Sequence, residues 1–276
     1  MPASAPEKLA KAAARGADEL VIDLEDAVAP AAKAAARAAA LEALATLEWG
    51  AASLAVRVNA RGTPWCEDDL AALAGAGGPL RSVVLPKVEA ADDVAFAARL
   101  LDRAPSLRVQ ALIETPAGVL RAAEIAGASP RLEALIVGYA DLGAALGRSA
   151  AGAANAALWD PLREQVLLAA RAHGLQAIDG PWLGLAPDAA FAAAARRARD
   201  QGYDGKWAIH PAQVAPLNEL FAPDATEVAR ARAVIAALAG AARDGGQGAV
   251  ALDGQMLDEP VRLAALRVLA AAGEAP

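Results

Sequence analysis

Two carboxylates stand where strands give way to helices. The run Val109 to Pro116 reads as a short buried strand ending on Glu114, with Thr115 as a helix N-cap and Pro116 at the first helical position, where its missing N–H costs nothing. A second apolar run, Leu135 to Ala140, leads into Asp141 and another helical stretch, 27 residues after Glu114. One βα unit separates the pair, which places both carboxylates on the same rim of a parallel sheet. Hard oxygens so placed suit a divalent cation: Mg²⁺ is commonly held by one or two carboxylates, with water and substrate oxygens completing an octahedron. The same residues also read as helix-start groups, a capping Asp and a Glu beside a helix N-terminus. With two histidines in the chain, a His-rich zinc site is implausible, and Mg²⁺ or Mn²⁺ fits better. Arg57 lies inside a strand, where arginine is uncommon unless paired. It either pairs with Glu25 or Asp26 or grips a carboxylate substrate through its planar fork. His210, at a strand end before Pro211, reads equally as a base or as a structural group and is assigned no catalysis.

The elements that must position these groups recur at a steady interval. Strands are read at Glu19–Leu24, Leu54–Val58, Ser82–Leu85, Val109–Glu114, Leu135–Ala140, Gln176–Ile178 and Lys206–Ile209. Between them lie helices over about 31–47, from 67, over 91–101, over 161–172 and over 188–201, with a further helix over 6–15 closed by Gly16. No strand is read over Met1 to Ala5, and 147–155 reads as a Gly-, Ala- and Ser-rich loop. The polar strand ends Glu25, Arg57, Lys87, Glu114, Asp141, Asp179 and His210 follow one another at 32, 30, 27, 27, 38 and 31 residues, the length of one βα unit. Alternating strand and helix signals imply a parallel sheet, and such a series fits a TIM (β/α)₈ barrel, one strand short, with its site at the carboxyl-terminal rim. A doubly wound open sheet competes, but no Gly-x-Gly-x-x-Gly follows the first strand. The reading divides the chain into a barrel over 1–215 and a C-terminal helical extension over 216–276. The extension holds helices at 217–221, 224–243 and 260–272 and a Gly-rich segment at 245–259, and serves as a lid or an arm to another subunit.

Composition narrows the class. The 276 residues are 56% hydrophobic, enough for a large core and far from the profile of a disordered chain. A net charge of −7 argues against nucleic-acid or anionic-membrane partners. The single cysteine, Cys66, excludes an intramolecular disulfide. With neither a signal peptide nor a membrane span visible, a cytoplasmic protein is expected.

Laid out in order, the motifs resemble those of the HpcH/HpaI aldolase or citrate lyase β-subunit (CitE-like) family, nearest to its malyl-CoA and citramalyl-CoA lyase-like members. They are Val21 to Val28 with Lys33 and Arg37, Val56 to Asn59, Leu85-Pro86-Lys87, Ile113 to Pro116, Gly138 to Leu142, Gly205 to Pro211 and Asp253-Gly254-Gln255-Met256. The resemblance spans about 2–259. It implies a TIM barrel in a homotrimer or larger homo-oligomer, with Glu114 and Asp141 as Mg²⁺ ligands and Arg57 gripping an oxo-acid carboxylate. It further implies that Glu25 and Asp26 lie near the metal-bound water and the substrate, and that Asp253 enters a neighbouring subunit's site as the proton donor. The implied reaction is a Mg²⁺-dependent carbon–carbon lyase step, joining or parting an acyl-CoA and a 2-oxo acid. Alternatives are a citrate lyase β-subunit acting on a citryl-carrier protein, a CoA-independent 2-oxo-acid aldolase, and a non-catalytic metabolite-binding homologue. The chain departs from its relatives in an opening strand that is largely missing, in lacking an arginine in Pro2 to Ala5, and in carrying Ala140 and Gln255 where many have Glu and Lys.

Overall fold

The computed structural model describes residues 1–50, 52–149, 155–243 and 250–274. The chain forms two compact units, Met1–Asn218 and Glu219–Pro276.

In the first unit seven strands, β1 (Glu19–Asp23), β2 (Ser53–Arg57), β3 (Leu80–Leu85), β4 (Arg108–Ile113), β5 (Leu132–Val137), β6 (Gln176–Asp179) and β7 (Gly205–Lys206), lie side by side in chain order, every neighbouring pair parallel. Helices join them: α1 (Pro6–Ala12) precedes β1, then come α2 (Lys33–Thr46), α3 (Cys66–Ala74), α4 (Ala91–Leu100), α5 (Pro116–Leu120), α6 (Ala122–Ala126), α7 (Tyr139–Ala145), α8 (Asp160–Ala172), α9 (Ala189–Gln201) and α10 (Val214–Phe221). This is an α/β, TIM-like architecture. Two of its helices start on side-chain caps that the sequence marks. Thr115 accepts a hydrogen bond from the Gly118 amide at 3.0 Å with Pro116 at the first helical position, and Asp188 caps α9 through the Phe191 amide at 2.9 Å. On α2 the buried positions Ala36, Ala40, Ala43 and Leu44 recur at helical spacing, and their small side chains let the helix pack close to its neighbours.

The sheet curls so that one face becomes a core of its own. Ala55, Val84, Leu112 and Ile136 are buried in one cluster, with Val21, Ile178 and Trp207 packed against it. Strand alternation then fixes two further layers on the same face. Below lie Glu19, Ser82 and Gln110, where the Gln110 amide approaches both Glu19 oxygens and the Ser82 hydroxyl at 3.0 Å. Above, at the carboxyl ends, the same parity brings Asp23, Arg57 and Glu114 inward. The opposite parity, including Leu20, Ile22, Val56, Val83, Ala111, Leu135 and Val137, is buried on the helix side.

Three expectations change. Met1 to Ala3 form no strand, yet they extend the ladder beside β1: Pro2 bridges Asp23 in parallel, the Asp23 amide donates to the Met1 carbonyl at 2.7 Å, and the Ala3 amide donates to the Asp23 carbonyl at 2.9 Å. The seventh strand is two residues long rather than four, paired only at Ile178–Gly205 and Asp179–Lys206. Ile209 and His210 lie beyond it and are exposed, because His210 turns the chain into a 3₁₀ turn, its Nδ1 accepting from the Ala212 amide at 3.2 Å. The chain over 116–126 is two short helices, broken at Arg121.

In the second unit α11 (Ala225–Arg243) packs with α12 (Glu259–Ala271) and a β-hairpin, β8 (Val250–Leu252) and β9 (Gln255–Leu257). Leu257, Ala231, Val234, Ala265 and Leu269 form its buried core, with Val250 and Leu252 against it. The Gly-rich segment expected over 245–259 is therefore a hairpin in its second half; residues 244–249 lie outside the described residues, as do 150–154 of the expected loop. Among the described residues no helix is long and apolar enough to cross a membrane.

Candidate active site

Register builds the deepest part of the site. Asp23 and Arg57 end neighbouring strands as direct partners, so their side chains meet: Arg57 donates from Nε and Nη2 to the two Asp23 oxygens at 2.8 and 2.7 Å. This two-pronged pairing fixes the guanidinium plane. Glu25 faces the other side of the same guanidinium, its Oε2 2.9 Å from Nη1. Arg57 thus pairs with Asp23 and Glu25, whereas Asp26 does not reach it and pairs with Lys87 at 3.5 Å. The main chain that carries Glu25 is clamped in turn, because the buried Lys33 ammonium donates to the Leu24 and Glu25 carbonyls at 2.8 and 2.7 Å.

Glu114 follows β4 and is 2% exposed. One oxygen accepts the Lys87 amide at 2.9 Å. The other lies against Gly138, where a Cβ would come within 2.4 Å of the Glu114 Cβ and 2.6 Å of Oε2, so residue 138 must be glycine for Glu114 to sit there. Asp141 is in the first turn of α7 rather than at the strand end, since β5 stops at Val137 and Gly138 caps the helix. An acid in that position complements the helix dipole. Its Oδ1 lies 3.8 Å from the Lys87 ammonium.

Lys87 ties these pieces together. Its ammonium touches Glu25 and faces Asp26 and Asp141, and its backbone is left-handed, φ 53°. The spacing of strand ends singles out Lys87 as polar but gives it no role, and Asp23 is missed altogether. The alternation Val21-x-Asp23 beside Ala55-x-Arg57 is the signal that would have found the Asp23–Arg57 pair.

The rim holds more negative charge than it neutralises. Burial is the chief reason the Glu114 carboxyl is pushed up to about 8, with the charges of Asp141 and Glu25 adding to it. Burial likewise raises Glu25 above the ordinary carboxylate range, against the pull of Arg57 and Lys87. Such a donor set fits a hard divalent cation, whose charge would offset this mutual repulsion. Among the described residues no group of three or more His, Cys, Asp or Glu side chains is placed to hold a metal. A cation here would have at most two carboxylates of the described residues, with water or substrate supplying the other oxygens.

Asp253 belongs to the second unit. It and Gly254 form the tip of the β8–β9 hairpin with φ 49° and 78°, the type I′ geometry that favours Asp-Gly. The Asp253 side chain is 78% exposed, and Arg230 of α11 stands 4.0 Å away.

The model of the HpcH/HpaI aldolase/citrate lyase family matches residues 1–211. The L-malyl-CoA/beta-methylmalyl-CoA lyase of Cereibacter sphaeroides (strain ATCC 17029 / ATH 2.4.9) is 38% identical over 280 residues, covering 93% of this chain and 88% of the relative. A (3S)-malyl-CoA thioesterase of Cereibacter sphaeroides (strain ATCC 17025 / ATH 2.4.3) is 39% identical over 272 residues, covering 99% and 92%. Among solved structures, CitE from Mycobacterium tuberculosis in complex with magnesium, acetoacetate and coenzyme A is similar, with a TM-score of 0.79 and 38% identity over 99% of this chain and 96% of that one. By motif order, architecture and this match, the chain belongs to the HpcH/HpaI aldolase/citrate lyase family.

Proposed function

We propose that the chain is a Mg²⁺-dependent carbon–carbon lyase acting on a 3-hydroxyacyl-CoA such as malyl-CoA or citramalyl-CoA, cleaving it to an acyl-CoA and a 2-oxo acid or running the reverse condensation. The observation that carries this reading is the inward carboxylate excess around Glu114, beside the oriented Arg57 guanidinium. The kinship to a malyl-CoA lyase and to a CitE solved with magnesium and coenzyme A supports it.

Glu114 and Asp141 would hold the cation, Mg²⁺ or Mn²⁺, which supplies Lewis-acid polarisation of the 2-oxo carbonyl. Arg57 orients the oxo-acid carboxylate with the N–H groups that Asp23 and Glu25 leave free, and these two acids keep its fork from rotating. Glu25 and Asp26 border the substrate on the acidic side. Asp253, on a fixed hairpin tip, delivers the proton to the thioester α-carbon in cleavage and removes it in condensation. In this reading the tip serves a neighbouring subunit of a homotrimer or larger homo-oligomer. Met1–Ala3 stand in for the first strand of an eight-stranded barrel over 1–215, and 216–276 is a C-terminal helical extension. A cytoplasmic setting suits CoA chemistry.

The test is product analysis. Malyl-CoA and citramalyl-CoA are incubated with Mg²⁺ or with EDTA, and 2-oxo acid and free thiol are measured together. Glyoxylate or pyruvate released only with metal, without free CoA, is the expected result. Malate with free CoA would instead favour a thioesterase, the reading supported by the relative that covers nearly the whole chain. Turnover that is unchanged in EDTA contradicts the metal-dependent reading.

A further inference from the structure

Lys87 carries a backbone conformation that few non-glycine residues adopt. That left-handed turn does two things at once. It aims the main-chain N–H at Glu114, 2.9 Å away, and it sends the side chain back over the acidic rim. There the ammonium meets carboxylates from two separate elements, Glu25 and Asp26 after β1 and Asp141 on α7. Among the described residues no other Lys or Arg nitrogen lies within ion-pair distance of Asp26 or Asp141. A third of the Lys87 side chain remains exposed.

We propose that Lys87 is a resident counter-cation of the rim, holding Asp141 until a divalent metal takes that carboxylate from it, and so weakening metal binding by competition. The inference rests on the reading of Glu114 and Asp141 as the metal's carboxylates. Lys87 is a positioning residue in this account. In the metal-free protein it keeps like charges from driving the β1 loop and α7 apart, and on metal binding it keeps Glu25 and Asp26 while yielding Asp141. Metal affinity and metal-free stability are then linked in opposite directions through one side chain, because a unit charge a few ångströms from a metal site opposes the cation strongly.

The experiment is calorimetric titration of the full chain with Mg²⁺ alone, paired with thermal melts in EDTA, for wild type, Lys87→Met, Lys87→Gly and Lys87→Arg. Both neutral variants should bind Mg²⁺ about tenfold more tightly than wild type and melt at lower temperature in EDTA. Lys87→Arg should stay within about twofold of wild type in affinity. Lys87→Gly guards against a folding failure in Lys87→Met, since glycine accepts the positive φ without strain. Unchanged or weaker Mg²⁺ binding in the neutral variants overturns the inference. Glu114→Gln separates the two levels. If wild type binds Mg²⁺ and Glu114→Gln does not, unchanged Lys87 variants sink this inference alone. If wild type and Glu114→Gln bind equally, or neither binds, the metal reading fails and takes the inference with it.

Discussion

Two clusters of buried charge sit at the carboxyl ends of the strands, and they face opposite ways. On the inner face, Asp23, Glu25 and Glu114 with the half-exposed Asp26 and Asp141 outnumber Arg57 and Lys87. On the outer face, beneath the helices, Asp179 is 1% exposed and meets two cations. It accepts from the Lys206 ammonium and the Tyr139 hydroxyl, and the Arg163 Nε stands 3.7 Å away. Burial pulls the Lys206 ammonium below its usual range, against the pull of Asp179, and lifts the Tyr139 phenol above its own. In the outer cluster Asp179 is fully engaged, and Arg163 also faces Asp160 at 3.8 Å. The inner cluster is left acidic and partly exposed at the rim. By residue type and spacing alone the two look alike; burial and charge balance separate them.

The sharpest break of this comparison is a matched pair of substitutions. Glu114→Gln should lower Mg²⁺-dependent turnover by more than about 100-fold, beyond the loss typical of a residue that merely supports a ligand, without lowering the melting temperature in EDTA. Asp179→Asn should do the reverse. It leaves Lys206 buried without its acid and Arg163 with only Asp160 at 3.8 Å, costing about 3–5 kcal/mol in a urea unfolding curve, while the remaining folded fraction keeps its Mg²⁺ dependence. Equal loss of stability in both variants would erase the distinction. A smaller probe is Gly138→Ala, whose methyl group would collide with Glu114 and should weaken Mg²⁺ binding about tenfold in a calorimetric titration with the fold retained.

The subtlest probe uses pH. Because the Glu114 carboxyl is pushed up to about 8 from an ordinary 4.5, its contribution to stability is present at low pH and lost as pH rises through about 8. Mg²⁺ offsets this loss by pairing with the ionised form, and at lower pH it must first displace a proton. The rise in melting temperature on adding Mg²⁺ should therefore be larger at about pH 8.5 than at about pH 6. A rise that does not change with pH contradicts the assignment of Glu114.

Much of this was readable from the chain. The βα period, the Thr115–Pro116 helix start and the pairing of Glu114 with Asp141 on one rim follow from local signals that act within a few residues. What escaped depends on facts that are not local. Strand ends look equivalent in the sequence, yet Ile178 faces inward and turns Asp179 outward, while Leu112 faces inward and brings Glu114 in with it. Parity against the apolar layer separates them, and it needs the register. The left-handed Lys87 has no sequence marker, since lysine rarely takes that conformation. The hairpin at Asp253 has one, an Asp-Gly pair between Val250, Leu252 and Leu257, within the motif Asp253-Gly254-Gln255-Met256. His210 looked like a strand-end group because Lys206 to Ile209 is largely apolar, but β7 ends before it and the histidine caps a turn instead.

The most direct test of the inner-rim assignment is a crystal of the protein soaked with Mn²⁺ and a 2-oxo acid, read by anomalous scattering. The account predicts one strong peak touching the carboxylates of Glu114 and Asp141, with Lys87 withdrawn from Asp141. A peak elsewhere, or none at this rim while Asp141 stays paired with Lys87, would contradict it.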